Sequence, residues 1–204
     1  MTYSSKLIED AVNAFSSLPG IGKKTALRLT LQLLKRDEME VEQFAESFIN
    51  LRKNMQYCKQ CHNISDTEVC DICKNTVRDN TIICVVADFR DVVAIESTGQ
   101  FKGKYHVLGG LISPMEGIAP SDLNISSLLE RASQEEVKEI IMALAATMEG
   151  DTTNFFIFKK LKEHNKKITV LSRGVSIGNE LEYTDEITLG KSILQRTPYE
   201  ISLK

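Results

Sequence analysis

Leu7, Ile8, Ala11, Val12, Ala14 and Phe15 recur at helical spacing, so residues 6–17 are predicted to form an amphipathic helix. Pro19 and Gly20 break it, and Gly22 permits a second tight backbone position. From Lys23 a second helix is expected, with Ala26, Leu27, Leu29, Leu31, Leu33 and Leu34 supplying apolar surface. Residues 41–53 form a third, with Val41, Phe44, Ala45 and Phe48 facing inward. The first fifty residues thus read as a small helical unit.

Residues 58–73 are rich in cysteine and poor in apolar side chains, and then the texture changes. Thr81 to Asp88, TIICVVAD, is a short β-branched run ending in an acid and reads as a buried strand. Tyr105 to Leu108 is a second strand, followed by a loop and a helix over 122–132. EEVKEIIMALAATMEGD (135–151) favours helix by propensity alone. Its place in the order argues for a strand over Glu139 to Ala145 and a loop over Thr147 to Gly150, before a helix at 151–164. Lys166 to Ser172 is the last strand. Strands alternating with helices predict a mostly parallel α/β sheet covered on both faces. Beyond Arg173 lies a glycine-punctuated tail with one short helix near 185–195.

Of the 204 residues, 42% are hydrophobic and 26% charged, which places the chain among folded globular proteins. The longest apolar run, Ile140 to Ala146, falls far short of the roughly 20 residues a membrane span needs. Met1 to Phe15 shows no secretory signal, so a cytoplasmic protein is expected, in which five cysteines serve as ligands or buried thiols rather than disulfides. The net charge of −3 conceals segregation. Leu18 to Arg36 carries five basic residues and no acid, whereas Thr81 to Gly150 carries ten acids against five bases. Different segments therefore have different partners.

Cys58, Cys61, Cys70 and Cys73 make two Cys-x-x-Cys knuckles, which let four thiolates converge on one ion. Four sulfurs and no open position specify a closed, structural site, best suited to Zn2+. A redox role would use one such pair, at a helix start beside a strand. His62 reads as a solvated loop residue and Cys84 as a small buried hydrophobe. Metal binding supplies folding free energy that this segment's few apolar residues cannot, so chelation should loosen residues 55–78 first.

The turn Leu18-Pro-Gly-Ile-Gly has the form of a helix-hairpin-helix, in which Gly20 and Gly22 present backbone N–H groups at the start of the second helix. Phosphate suits that place, and Lys23, Lys24 and Arg28 add formal charge. Such contacts ignore base identity and are salt-sensitive. An ordinary turn with a solvated basic face is the alternative. Lys35 and Arg36 either extend the grip or only cap the helix C-terminus. One hairpin is a weak anchor, so useful affinity implies several copies in an oligomer.

With hairpin, cysteine knot and α/β segment in this order, the chain resembles the RecR family of bacterial recombination mediators over essentially its whole length. LPGIGKKTALRL, CKQCHNISDTEVCDIC, YHVLGGLISPMEGIAPSDL and NELEYTDEITL carry the resemblance. It implies a helix-hairpin-helix unit over 1–53, a four-cysteine zinc motif over 54–78, a Toprim-like α/β domain over 79–172 and a C-terminal segment over 173–204. It also implies a homo-oligomeric ring, often tetrameric, that encircles DNA and works with RecO, and in many bacteria RecF, to load the recombinase on single strands. Lys24 and Arg28 fall on the family's basic DNA-contact positions. Lys23 stands where the family usually has Pro, adding a cation beside the turn.

Catalytic Toprim enzymes hold Mg2+ with a glutamate after the first strand and a later Asp-x-Asp pair. This chain has Ala87 and then Asp88 at the first place and Glu149-Gly-Asp151 at the second, and it has no tyrosine placed as a nucleophile. A non-enzymatic mediator is therefore expected, with a Mg2+-dependent nuclease or topoisomerase-like enzyme using Asp88, Glu149 and Asp151 as the alternative. A zinc-dependent scaffold with no DNA role is a third reading. The resemblance assigns Glu149 and Asp151 to a RecO-facing surface; acids stabilising a helix start are the plainer account.

Overall fold

The helical periodicity of the first fifty residues is realised as three helices in the computed structural model, which describes residues 3–178 and 180–198. They are α1 (Lys6–Ser16), α2 (Lys23–Leu33) and α3 (Glu38–Asn54), and they belong to one compact unit, Met1–Met55. Val12 of α1 and Ala26 and Thr30 of α2 are buried, and the Thr30 hydroxyl is satisfied by donating to the Ala26 carbonyl at 3.0 Å. Asp37 caps α3 by accepting from the Glu40 amide at 2.9 Å, starting that helix three residues earlier than its apolar pattern suggests. The expected inward face of α3 is not covered. Val41 and Phe44 are half-buried, Ala45 is exposed, and Phe48 keeps 57% of its surface while its ring meets Phe44 edge-on at 5.0 Å.

The second unit, Gln56–Lys204, begins with the cysteine knot. A two-residue pair, β1 (Gln56–Tyr57) and β2 (Ile64–Ser65), runs antiparallel, and α4 (Asp71–Lys74) carries the second knuckle. Next come β3 (Asp79–Val86), α5 (Phe89–Ser97), β4 (Gly103–Val107), α6 (Ile125–Ala132), β5 (Glu139–Met142), α7 (Met148–Leu161), β6 (Lys167–Val170) and, in the tail, α8 (Glu186–Leu194). The last part of the expected tail, 199–204, lies outside the described residues.

The four longer strands form one sheet in the order β4-β3-β5-β6, parallel at every pairing. Because β3 is central, both its faces are buried, and its apolar run is continuous rather than alternating. Ile83 and Val85 join Ile140, Met142, Leu128 of α6 and Ile157 of α7 in one core. Cys84 and Val86 join Tyr105, Val107 and Val92 of α5 in a second, on the other face. The strand read at 139–145 is thus present over Glu139–Met142, where tertiary position outweighs helix propensity.

Two elements differ from expectation. Helix α5 was not signalled by a strong apolar stripe, and its start is set by acids instead. Asp88 accepts from the Arg90 amide at 2.7 Å, while the Asp91 carboxylate accepts from the amides of Ala87 (3.0 Å) and Asp88 (3.1 Å). The expected loop over Thr147–Gly150 is instead the cap and first turn of α7: the Thr147 hydroxyl accepts from the Gly150 amide at 3.2 Å. Gly150 is required there, since a Cβ would lie 2.0 Å from the Ala145 carbonyl oxygen.

Candidate nucleic-acid interface and zinc site

Between α1 and α2 the chain reverses at Gly20, whose φ of 81° lies in the left-handed region that glycine adopts freely. Gly22 is the N-cap of α2 and has no side chain to bond the helix start, so the first-turn amides of Lys23, Lys24 and Thr25 remain open at the positive end of the helix dipole. Lys23, Lys24 and Arg28 are exposed around them. One groove along α2 is lined by Lys24, Leu27, Arg28, Leu31, Gln32 and Lys35. Lys35, which the sequence leaves undecided, therefore shares a face with Lys24 and Arg28. Open amides with three cations in a row can bind a polyanion backbone and carry nothing that reads a base.

The Sγ atoms of Cys58, Cys61, Cys70 and Cys73 all lie within 4.8 Å of one another, and the first three residues are buried. The Cys61–Cys70 sulfur separation is 3.6 Å. A tetrahedron with Zn–S bonds of about 2.3 Å has edges of about 3.8 Å, so the donor set fits the ion. Amide N–H groups already point at sulfur: Cys70 N–H donates to Cys58 Sγ (3.3 Å) and Cys73 N–H to Cys70 Sγ (3.4 Å). Hydrogen bonds from Cys61 and Cys73 hold the Cys70 thiol well below the usual range. By contrast, burial pushes the Cys84 thiol up to about 12, which leaves it the inert hydrophobe its setting in β3 suggests.

His62 is not the solvated loop residue expected. It takes φ 61°, its Nε2 lies 2.8 Å from Ser127 Oγ, and its ring meets His106 edge-on at 5.3 Å. Burial and the nearby Arg131 charge lower its pKa. His106 is fully buried and held neutral, its pKa lowered to about 3 by burial and then by Arg131. Its partners fix the tautomer: Arg131 can only donate, so Nδ1 accepts from Arg131 Nη1 (3.0 Å) and Nε2–H donates to the Asn124 carbonyl (2.7 Å). No local sequence signal marked this network, in which the bonded pair His62 and Ser127 lies 65 residues apart in the chain.

Asp88, Glu149 and Asp151 are not brought together as one metal-binding group. Among the described residues, the four cysteines are the one cluster of three or more His, Cys, Asp or Glu whose ligand atoms converge. Asp88 caps α5 and bonds Arg90 Nε at 2.9 Å, and the Arg90 guanidinium beside it holds its carboxyl below the usual range. Asp151 receives both guanidinium nitrogens of Arg173 (2.6 and 3.2 Å), which lower its pKa in the same way. Glu149 and Asp151 share the first turn of α7, so the helix-dipole account of both acids applies.

These features define a class: a helix-hairpin-helix unit joined to a parallel α/β domain of Toprim type that a four-cysteine zinc knot staples. Family profiles match along the chain in that order. They are described as the helix-hairpin-helix of RecR over 8–51, the four-cysteine zinc finger domain of RecR over 55–75, a Toprim domain over 81–172 and the C-terminal region of RecR over 174–197. Proteins named "Recombination protein RecR" are similar throughout. That of Flavobacterium johnsoniae is 58% identical over 204 residues, covering 100% of this chain and 99% of its own. Those of Parabacteroides distasonis (58% over 200 residues, 98% and 96% covered) and Porphyromonas gingivalis (54% over 202, 99% and 98%) match as well. The chain belongs to the RecR family. It is a recombination protein with one structural zinc held by Cys58, Cys61, Cys70 and Cys73. No described helix is long and apolar enough to cross a membrane.

Proposed function

We propose that this protein is a DNA clamp and recombination mediator of the bacterial cytoplasm that performs no chemistry of its own. The observation that carries the reading is the uncapped glycine turn of α2 beside the groove of Lys24, Arg28 and Lys35. Gly20, Gly22, Lys23, Lys24 and Arg28 contact phosphates through backbone amides and formal charge. One such grip is weak, so several copies act together in a homo-oligomeric ring, a tetramer, around the strand. The ring works with RecO, and with RecF where a cell makes it, to place the recombinase on single-stranded DNA. In this division of labour residues 1–53 grip DNA, 54–78 hold zinc, 79–172 carry the partner surface and 173–204 tie onto it through Arg173.

Glu149 and Asp151 form the RecO-facing acids, with Asp151 steadied by Arg173 on the same first turn of α7. The absence of catalysis is supported by the separate engagements of Asp88 and Asp151. Native mass spectrometry of the full chain, alone and with RecO of the same bacterium, tests the reading. A four-copy assembly that binds RecO, with affinity reduced by Glu149→Ala, is expected; a monomer that binds neither DNA nor RecO overturns it. Incubation with supercoiled DNA and Mg2+ or Mn2+ should give no nicking, and nicking lost in Asp151→Ala would establish the enzyme instead.

A further inference from the structure

We propose that Lys104 and Arg131, supplied by the α/β domain, are the counter-charges of the zinc centre, so that the metal locks β4 and α6 as well as the knot that ligates it. Zinc with four thiolates carries a net charge of about −2. The knot's own cations do little to balance it: Lys59 is exposed and paired with Glu68 at 2.8 Å, and Lys74, also exposed, donates to Thr67 Oγ1 at 2.7 Å.

The sheltered cations come from elsewhere: Lys104 is buried and Arg131 half-buried. Lys104 on β4 is 6% exposed, and its ammonium donates to three carbonyls of the second knuckle, Ile72 (2.9 Å), Cys73 (2.9 Å) and Asn75 (2.7 Å). Arg131 on α6 donates to the Tyr105 carbonyl at 2.8 Å and to neutral His106. Neither makes an ion pair with a carboxylate among the described residues, although Glu130 and Glu136 are exposed along the cleft they share with Cys73 and Lys59. A buried cation held by neutral acceptors alone is costly. Arg131 lines the same cleft as Cys73, beside the second knuckle. Two unit positive charges offset the tetrathiolate, which resolves both problems together.

Backbone contacts make the coupling mechanical too. The Val107 amide donates to the Cys61 carbonyl at 2.8 Å, and His62 reaches Ser127 on α6. When zinc leaves, the bonds that hold the two knuckles together go with it, and the carbonyls that anchor the Lys104 ammonium and the Val107 amide lose their fixed positions. Loosening then spreads past the knot.

The test uses full-length Lys104→Gln and Arg131→Gln, which keep a donor and lose the charge, and Arg131→Lys, which keeps the charge. Zinc affinity is read by competition with a chromophoric chelator. The Gln variants should bind zinc about 10- to 100-fold more weakly, the range found when groups around a ligand set are removed, and Arg131→Lys should stay nearer the native value. In the Co2+-substituted protein the thiolate-to-metal absorption should move to lower energy in the Gln variants and not in Arg131→Lys, a shift that loosened packing alone would not give. Affinity of both Gln variants within about threefold of native overturns the proposal. If those variants do not fold, hydrogen exchange on the native chain decides. Chelation should deprotect 103–107 and 125–132 together with 58–74, and retained protection of β4 and α6 refutes the coupling.

Discussion

Lys24→Ala/Arg28→Ala is the most direct perturbation of the hairpin. Both side chains are exposed on α2 and line one groove, while the packing of α2 rests on Ala26 and Thr30, so the fold should be untouched and the melting temperature unchanged. Each phosphate contact on duplex DNA contributes about −0.9 to the slope of log K against log salt. Two lost contacts per hairpin flatten that slope by about 1.8. Raising salt from ~50 to ~200 mM weakens native binding by a factor of about 3.5 for each such contact, so the native-to-variant affinity ratio should shrink about 12-fold across that range. An assembly that engages several hairpins at once multiplies the effect. Fluorescence anisotropy on one labelled duplex at three salt concentrations measures it, and Lys162→Ala, an exposed cation on another element, serves as the control. A double variant with the native slope would show that the cations of α2 face solvent rather than phosphate.

Gly150→Ala places a Cβ 2.0 Å from the Ala145 carbonyl oxygen, a backbone atom that cannot rotate away, and should cost about 1–3 kcal/mol in urea denaturation. Leu128→Ala removes a fully buried side chain from the core between β3, β5 and α7 and should cost about 2–5 kcal/mol in the same assay. Glu96 accepts from Arg78 and from the Tyr105 hydroxyl (2.7 Å), and Arg78 holds its carboxyl below the ordinary range. A depressed carboxyl contributes stability that is present above its unfolded value, about 4.3, and lost as pH falls through the folded one. Glu96→Gln should therefore flatten the acid limb of the stability–pH curve; an unchanged limb would remove Glu96 from the account.

Two features were legible in the chain because each is encoded within a few residues. The four zinc ligands follow from spacing alone, and the glycine turn from Pro19, Gly20 and Gly22 with basic residues behind them. The strand at 139–142 was read correctly against its own propensity, since an alternating α/β order leaves a place that a strand must fill. Helix α5 was missed although Asp88 and Asp91 mark its start, because a capping pair is a weaker signal than an apolar stripe. The α3 reading failed in the other direction: Phe48 lies on an apolar stripe, but it meets Phe44 edge-on and still leaves 57% of its surface exposed.

By itself, then, the sequence determined the order of the parts, the zinc ligands and the basic turn, all of which depend on local spacing and on the preferences of glycine, proline and cysteine. The tertiary structure decided what those parts are joined to. It set Lys104 beside carbonyls up to 32 residues away, Arg131 against His106, His62 against Ser127, and Arg173 on Asp151. Such pairings arise when sheet register and helix packing bring remote segments together, and the periodicity of either segment alone does not contain them.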